Sequence, residues 1–487
     1  METDYLVVGA GASGLAFADT LVAEAKNVHV TVVDRRHAPG GHWLQAYPFV
    51  RLHIPSAYYG VNSLALGEDR IDEAGENAGY YERATGEQVR EYFAEATVRL
   101  TTTGQVSVLT GHEYLGPGSD GEQVRDLDTG GVHAVKVRRK IVDARYLEAS
   151  IPATHTIPFD VASGGRLVAV NDLPSAAETA SSYAVLGSGK TAVDACMWLL
   201  DNDVEPDRIC WIRPRDAWFY DRRHFQPLEQ VGTMMEGLAL DAEAGAHAAN
   251  IEQLFEQLEA SGRLLRIDPT QPATMYRGTM LSARELGALR QIEDVVRLGR
   301  VRRIEEDRIL LEDGEARTSP ETLHVDCTAL GLTDAPARPI FEAGRVVLQQ
   351  VRHLAPCFNA ALIGFLEAHR ADDGEKNRLC PPNPYPASIG DWPRMMSRTW
   401  RTEFRWLSEP DLSAWVASSR LHLLRALPDH ATESSVQGPL QLYLTHVTAA
   451  VERLGQLDGS KSPGPVLNRI GKPQKRGDPA RTPCVNS

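Results

Sequence analysis

The chain has 487 residues, 43% of them hydrophobic, with 51 Lys and Arg against 65 Asp and Glu and a formal net charge of −14. That is apolar material for more than one core, and the acidic balance argues against nucleic acid or an anionic membrane as a partner. No apolar run has the length of a membrane span, the chain enters a strand too early for a signal peptide, and Cys196, Cys210, Cys327, Cys357, Cys380 and Cys484 form no C-x-x-C or zinc spacing. The expectation is a reduced, cytoplasmic protein without a metal site or redox disulfide.

The first forty residues carry the strongest pattern. Tyr5-Leu6-Val7-Val8 reads as a buried parallel strand, Gly9-Ala10-Gly11-Ala12-Ser13-Gly14 as a turn, and Leu15 to Ala25 as a helix. Val28 to Val33 then reads as a second buried strand ending at Asp34. Strand, GxGxxG turn, helix, strand and acid together form the context of a dinucleotide site. Gly9 permits the tight turn, Gly11 admits a pyrophosphate to the backbone, and Gly14 lets helix and strand pack closely. The helix N-terminus offers unpaired N–H groups through Ala12 and Ser13, and Asp34 is the expected acceptor for a ribose diol.

Gly40-Gly41-His42-Trp43 follows, and then Tyr47-Pro48-Phe49-Val50-Arg51-Leu52-His53-Ile54-Pro55-Ser56. On these residues the chain resembles the class B flavoprotein monooxygenases, which include the flavin-containing and Baeyer–Villiger monooxygenases. In that family the first dinucleotide unit is followed by Gly-Gly-x-Trp and a Tyr-Pro-Gly-x-Arg-x-Asp-x-Pro-Ser-like stretch. Gly40, Gly41, Trp43, Tyr47, Pro48, Arg51, Pro55 and Ser56 fit, whereas Phe49 replaces Gly and His53 replaces Asp. The resemblance implies that this stretch runs beside the flavin. It places Arg35, Gly41, His42, Trp43 and Ser56 among the cofactor contacts and makes Arg51 and His53 the candidate catalytic pair.

Between Glu87 and Leu100 the apolar residues recur at helical spacing. Val106–Leu109 and Glu113–Leu115 read as short strands, and the resemblance makes Tyr114 a candidate at the adenine. Val132 to Asp143 reads as a hairpin strand followed by a buried one. The Phe-x-Gly-x-x-x-His fingerprint of the family is absent, since Ile151–Thr156 and Val170–Pro174 stand in its place. The chain is therefore expected to be a divergent member, and its assignment to the Baeyer–Villiger or standard N-hydroxylating branches does not follow.

A second turn, Gly187-Ser188-Gly189-Lys190-Thr191-Ala192, lies between a strand at Tyr183–Leu186 and a helix at Thr191–Leu200. Gly-Lys-Thr invites a P-loop reading, but that motif needs a glycine where Ala184 stands. GxGxxA, a second nucleotide turn, is the better reading. Arg208 to Ile212 is its second strand, and Arg213 lies as far from Gly187 as Asp34 lies from Gly9, to within one residue. A carboxylate there favours a free 2′-hydroxyl, whereas guanidinium groups at Arg213 and Arg215 favour a 2′-phosphate. The first site thus suits FAD and the second NADPH.

Trp218 to Phe225, dense in aromatics and charge, is expected to face the cleft between domains, and Leu238 to Leu265 reads as a helical insertion. Val301–Ile304 and Arg308–Leu311 form a short antiparallel pair, and Leu323–Gly331 is a third glycine-ended strand. Ala360–Glu367 resembles the late strand and turn that cover the flavin in the family. Asn377–Trp392 reads as irregular, and Asp391–Leu427 and Gln437–Leu454 as helical.

The expected fold is α/β with two Rossmann-like dinucleotide-binding domains, the NADPH domain inserted in the FAD domain, and a helical C-terminal region. Its parts are residues 1–170 (FAD), 171–325 (NADPH), 326–458 (FAD, with C-terminal helices) and a disordered tail at 459–487. The expected activity is NADPH-dependent oxygenation of a small molecule by molecular oxygen through a flavin hydroperoxide. The competing readings are a flavin reductase that inserts no oxygen and a flavoprotein with a structural or regulatory cofactor.

Overall fold

The computed structural model describes residues 1–331 and 335–457. Its first sheet has the strand Glu2–Val8 at its centre, parallel to Val30–Asp34 on one side and Val132–Asp143 on the other. Val106–Thr110 extends one side and Arg345–Val347 the other, again in parallel, with the short antiparallel strand Phe341–Glu342 beyond the latter. Side chains alternate across this sheet as the pleat requires. Tyr5, Val7, Val30 and Val32 face the helices Ala12–Glu24 and Pro356–His369, while Leu6, Val8 and Val33 meet Val124 and Val135 of the hairpin strands. Both faces are covered, which is why these strands read as unbroken apolar runs.

The second sheet is parallel throughout, in the order Val295–Val296, Ile209–Ile212, Ser182–Leu186, Thr322–Asp326 and Leu167–Ala169. The helix Lys190–Asp201 shares a core with one of its faces, and the antiparallel strands Val301–Ile304 and Arg308–Leu311 cover the other. A third sheet, Leu264–Leu265, Asp216–Asp221 and Ala273–Leu281, packs with the helices Val231–His247, Ile251–Ala260, Trp392–Trp406 and Ser434–Gln456 around one aromatic-rich core.

Several expectations are corrected. Val132–Asp143 is one twelve-residue strand, because its first half pairs with the hairpin while its second half enters the sheet. Ala360–Glu367 lies inside the helix Pro356–His369, with Pro356 in its first turn. Its apolar residues are buried nearly all round, so no helical period shows in the sequence. Residues 377–379 close a short helix, Asp373–Leu379. Trp218, Phe219 and Tyr220 are buried in a strand and do not face an open cleft. The strand Leu167–Ala169 belongs to the second sheet, so that sheet begins before the expected boundary at 171. The C-terminal helix Ser434–Gln456 packs on Val231–His247, away from the first sheet. No described helix is long and apolar enough to cross a membrane. The tail at 459–487 lies outside the described residues.

The helices Ala12–Glu24 and Pro356–His369 cross at Gly364, where a Cβ would sit 2.8 Å from the Phe17 carbonyl oxygen. Gly364→Ala is therefore expected to lower stability by ~1–3 kcal/mol through overpacking, outweighing the better helix propensity of alanine. Urea unfolding measures this, and a gain in stability would contradict the close crossing.

Candidate functional site

The first glycine turn is built from backbone proximity. Gly9 has φ +115°, and a Cβ on Gly14 would lie 2.0 Å from the Gly9 carbonyl oxygen. The helix Ala12–Glu24 begins at Gly11 without a side-chain cap. Gly9, Gly11, Ala12 and Ser13 all stay half-exposed, so their amides are open to an anion. Gly41, at φ +61°, comes against this turn, and a Cβ there would be 3.0 Å from the Gly11 Cα. The Gly40-Gly41 doublet thus serves a close approach of two loops. These residues fit a dinucleotide pyrophosphate.

Asp34 does not fit the ribose role expected of it. Its Oδ2 accepts the Ala10 N–H at 2.7 Å and its Oδ1 the Arg36 N–H at 2.8 Å, with the side chain only 4% exposed. The carboxylate braces the turn instead of presenting itself. Arg35 and Arg36 both pair with Glu148, at 2.9 and 3.2 Å, beside a cavity of about 830 Å³ whose walls include Leu44 and Thr154.

The stretch after the doublet is mostly structural. Trp43 is buried and its Nε1 donates to the Tyr59 hydroxyl at 2.8 Å. Ser56 is buried with Oγ accepting the Ala84 N–H, which removes it from the cofactor contacts. Tyr114 donates to Glu122 at 2.6 Å and lies under the Arg145 guanidinium. Arg51 is exposed and donates to the Arg83 carbonyl oxygen at 3.3 Å, so it does not reach inward as a catalytic cation. His53 is half-buried; desolvation, followed by Lys190, Arg222 and Arg83, holds its imidazole well below its ordinary pKa. It is neutral near pH 7, unsuited to storing a proton but able to donate or accept one hydrogen bond.

The second turn repeats the first with different braces. Gly187 has φ +134°, and a Cβ there would be 2.6 Å from the Cys327 carbonyl oxygen. No acid holds it; instead Trp211 Nε1 donates to the Gly187 carbonyl oxygen at 2.8 Å. Arg213 lies over the Trp211 ring at 4.9 Å and pairs with Asp216 at 2.7 Å, its side chain 3% exposed. The expectation that Arg213 receives a 2′-phosphate is therefore corrected: it is spent on the fold. Arg215 is exposed and stands near Arg277 and Arg300, whose charges, after desolvation, lower its pKa. Among the described residues none of these three has an ion-pair partner. The helix Lys190–Asp201 starts at Gly189 without a side-chain cap, and a Cβ on Gly189 would meet nothing within 4 Å. Gly187, Ser188, Gly189, Lys190 and Thr191 all remain half-exposed.

The two turns are joined by the loop between them. Tyr47 donates to Asp194 Oδ2 at 2.5 Å, and Lys190 folds back onto the same carboxylate. Phe49 stacks on Trp198 with ring centroids 5.5 Å apart. Asp194 was not singled out from sequence, although its position four residues after Lys190 on one helix face is a readable signal. Arg83 and Glu285 were also missed, and Arg222 was read only as part of the charged stretch from Trp218 to Phe225. They form a buried chain with contacts of 3.8 and 2.7 Å, and Arg222 is pulled down to about 10, by burial and then by Arg83.

His42 supplies a pH test. Burial, then the Arg36 guanidinium, lowers its pKa to about 4. The unfolded chain takes up this proton near pH ~6.5, while the folded one does so only near 4. Stability contributed at this position is thus complete above ~6.5 and is lost as pH falls toward 4. His42→Gln is expected to flatten the decline in urea midpoint between pH 7 and pH 5; an unchanged slope would refute the neutral, desolvated imidazole.

Residues 7–52 match the family model of the NAD(P)-binding Rossmann-like domain. The uncharacterized protein Rv2000 of Mycobacterium tuberculosis is 46% identical over 429 residues, covering 88% of this chain and 79% of that protein. Two solved structures are more distant. A cyclohexanone monooxygenase mutant from Rhodococcus sp. Phi1 bound to NADP+ is 15% identical, covers 76% of this chain and 86% of its own, and has a TM-score of 0.46. The Kutzneria sp. 744 ornithine N-hydroxylase is 12% identical, covers 76% and 99%, and also has a TM-score of 0.46. On its likeness to Rv2000 the chain belongs to the family of that mycobacterial protein.

Proposed function

We propose that this chain is a cytoplasmic, FAD-containing, NADPH-dependent monooxygenase that oxygenates a small molecule. The observation that carries the reading is the pair of uncapped glycine turns, each leaving a parallel central strand of its sheet, tied across by Tyr47 and Asp194. Ligands of open parallel sheets bind beyond the carboxyl ends of the strands, where both turns lie. The resemblance of residues 40–56 to class B flavoprotein monooxygenases supports oxygenation over plain reduction.

In this reading residues 1–170 and 326–458 form the FAD unit, and the inserted NADPH unit extends from a few residues before 171 to 325. The Ala12 and Ser13 amides hold the FAD pyrophosphate, with Gly41 close by. The amides after Gly189 receive the nicotinamide dinucleotide, and Arg215, with Arg277 and Arg300, meets its 2′-phosphate. When bound, FAD supplies the two-electron acceptor for the nicotinamide hydride and the centre at which oxygen is activated. Tyr47 and Asp194 set the distance between the units, and Lys190 is kept from the phosphates by its ion pair until a ligand competes for it. His53, neutral and half-buried, orients a hydrogen-bonding group at the junction.

Arg215→Ala combined with Arg277→Ala is expected to raise KM for NADPH by about 10–100-fold, the loss of charge-assisted bonds, and to leave KM for NADH nearly unchanged. Steady-state kinetics with both nucleotides check this; parallel losses would remove the 2′-phosphate assignment.

The whole reading is tested with purified protein reconstituted with FAD, by following NADPH-driven bleaching of the flavin and oxygen uptake. Labelled oxygen recovered in a product supports it. Reduction of an acceptor without incorporation replaces it with the reductase reading, and bound FAD that NADPH does not bleach replaces it with a structural cofactor. Failure to bind FAD overturns all three.

A further inference from the structure

A cavity of about 40 Å³ lies beside the third sheet, and no residue of either glycine turn lines it. That is room for a few waters or for a carboxylate head group. One wall is the segment 352–354, which leads from the first sheet into the helix Pro356–His369; the others come from the strand Asp216–Asp221, the helices Val231–His247 and Trp392–Trp406, and the residues Phe225, Arg263 and Leu423 between elements. The cavity therefore sits where the FAD-side unit meets the helical one.

Its polar lining is unusual for so buried a place. Arg263 is 2% exposed and grips Asp241 through Nε and Nη2 at 2.9 and 2.6 Å, which leaves Nη1 without a protein partner. Arg352 is 4% exposed and forms an ion pair with Glu403, Nε lying 2.8 Å from Oε1 without hydrogen-bond alignment, so that its Nη1 and Glu403 Oε1 are both left over. His353 meets the Tyr276 hydroxyl through Nε2 at 3.1 Å and leaves Nδ1 over. Each buried polar atom left unmet costs ~1–3 kcal/mol, and here the two spare guanidinium edges outnumber the one spare acceptor, Glu403 Oε1, which calls for a further acceptor. Asp241 and Glu403, already in the walls, disfavour a dianion such as phosphate. The remaining walls include Met234 and Met396, unbranched side chains that can give way to an apolar body.

We propose that this cavity binds a small organic acid, its carboxylate held by Arg352 and Arg263 and its apolar body lodged against Met234 and Met396. The inference stands apart from the cofactor reading, because binding requires no turnover.

The test uses the full chain with methyl-labelled methionine, titrated with hexanoate and phenylacetate and, in parallel, with hexanamide and phenylacetamide. Met234→Leu and Met396→Leu identify the two reporting methyls. The acids are expected to shift both methyls saturably and to bind at least ~10-fold more tightly than the amides, the worth of a charge-assisted bond. Arg352→Gln is expected to erase that preference, and Arg352→Lys to restore part of it. No saturable shift with either acid, or equal affinity for acid and amide, overturns the proposal, as does an Arg352→Gln variant that keeps the preference. Should Arg352→Gln not fold, the acid-to-amide ratio in the unaltered chain still decides. A colourless protein that binds the acids would sink the flavin reading alone, while a yellow, NADPH-bleached protein that ignores them would sink this one alone.

Discussion

The closeness of backbone to backbone at the two glycine turns is the constraint from which the rest follows. At Gly14 a single carbon would sit inside the Gly9 carbonyl, and at Gly187 it would press on Cys327. Such contacts hold only if something fixes the chain on either side. In the first unit that is Asp34, with two backbone amides bound to one carboxylate. In the second it is an indole, with Trp211 donating to Gly187 and Arg213 pinned over the ring by Asp216. Two chemically unlike braces yield the same result: a helix that starts without a cap and aims its first amides outward.

With both turns fixed, their separation rests on the loop after the Gly40-Gly41 doublet. This loop leaves the first sheet, is stacked by Phe49 on Trp198, and is tied by Tyr47 to the carboxylate that also engages Lys190. Tyr47 of the loop and Lys190 of the second turn thus share a single acid. Burial then raises the tyrosine's pKa well above its ordinary value, with Asp194 adding to the shift, so the phenol stays a donor. The link is a charge-assisted hydrogen bond rather than a proton relay.

Charge is distributed against the average. The chain is acidic overall, yet its interior gathers Arg83, Arg222, Lys190, Arg263 and Arg352, most of them matched by carboxylates such as Glu285, Asp194, Asp241 and Glu403. Buried pairs of this kind add little net stability, but each removes an alternative packing, because either partner left alone would be costly. The imidazoles nearby, His53 and His353, are desolvated and beside cations, so they remain neutral and contribute geometry in place of charge.

The sequence by itself determined the two strand–turn–helix units and the register between them, because local geometry admits little besides glycine at Gly9, Gly14 and Gly187. It also marked the loop from Tyr47 to Ser56 as one segment. It did not decide what the polar residues near those turns touch. Asp34 and Arg213 stand at matching positions and look like ligand contacts, yet each is consumed by the fold, since their partners are an amide of the turn in one case and a ring and an acid in the other. Ser56 and Arg51 were legible as a motif, but whether they face inward depends on the segment at 83–85, which lies about thirty residues away. The helix at Pro356–His369 hid its period because burial on nearly every side leaves no polar face to read. Only the tertiary structure brought residues 220, 241, 263, 352 and 403 to one cavity, since no local rule links a strand, two helices and two loop segments so distant in the chain.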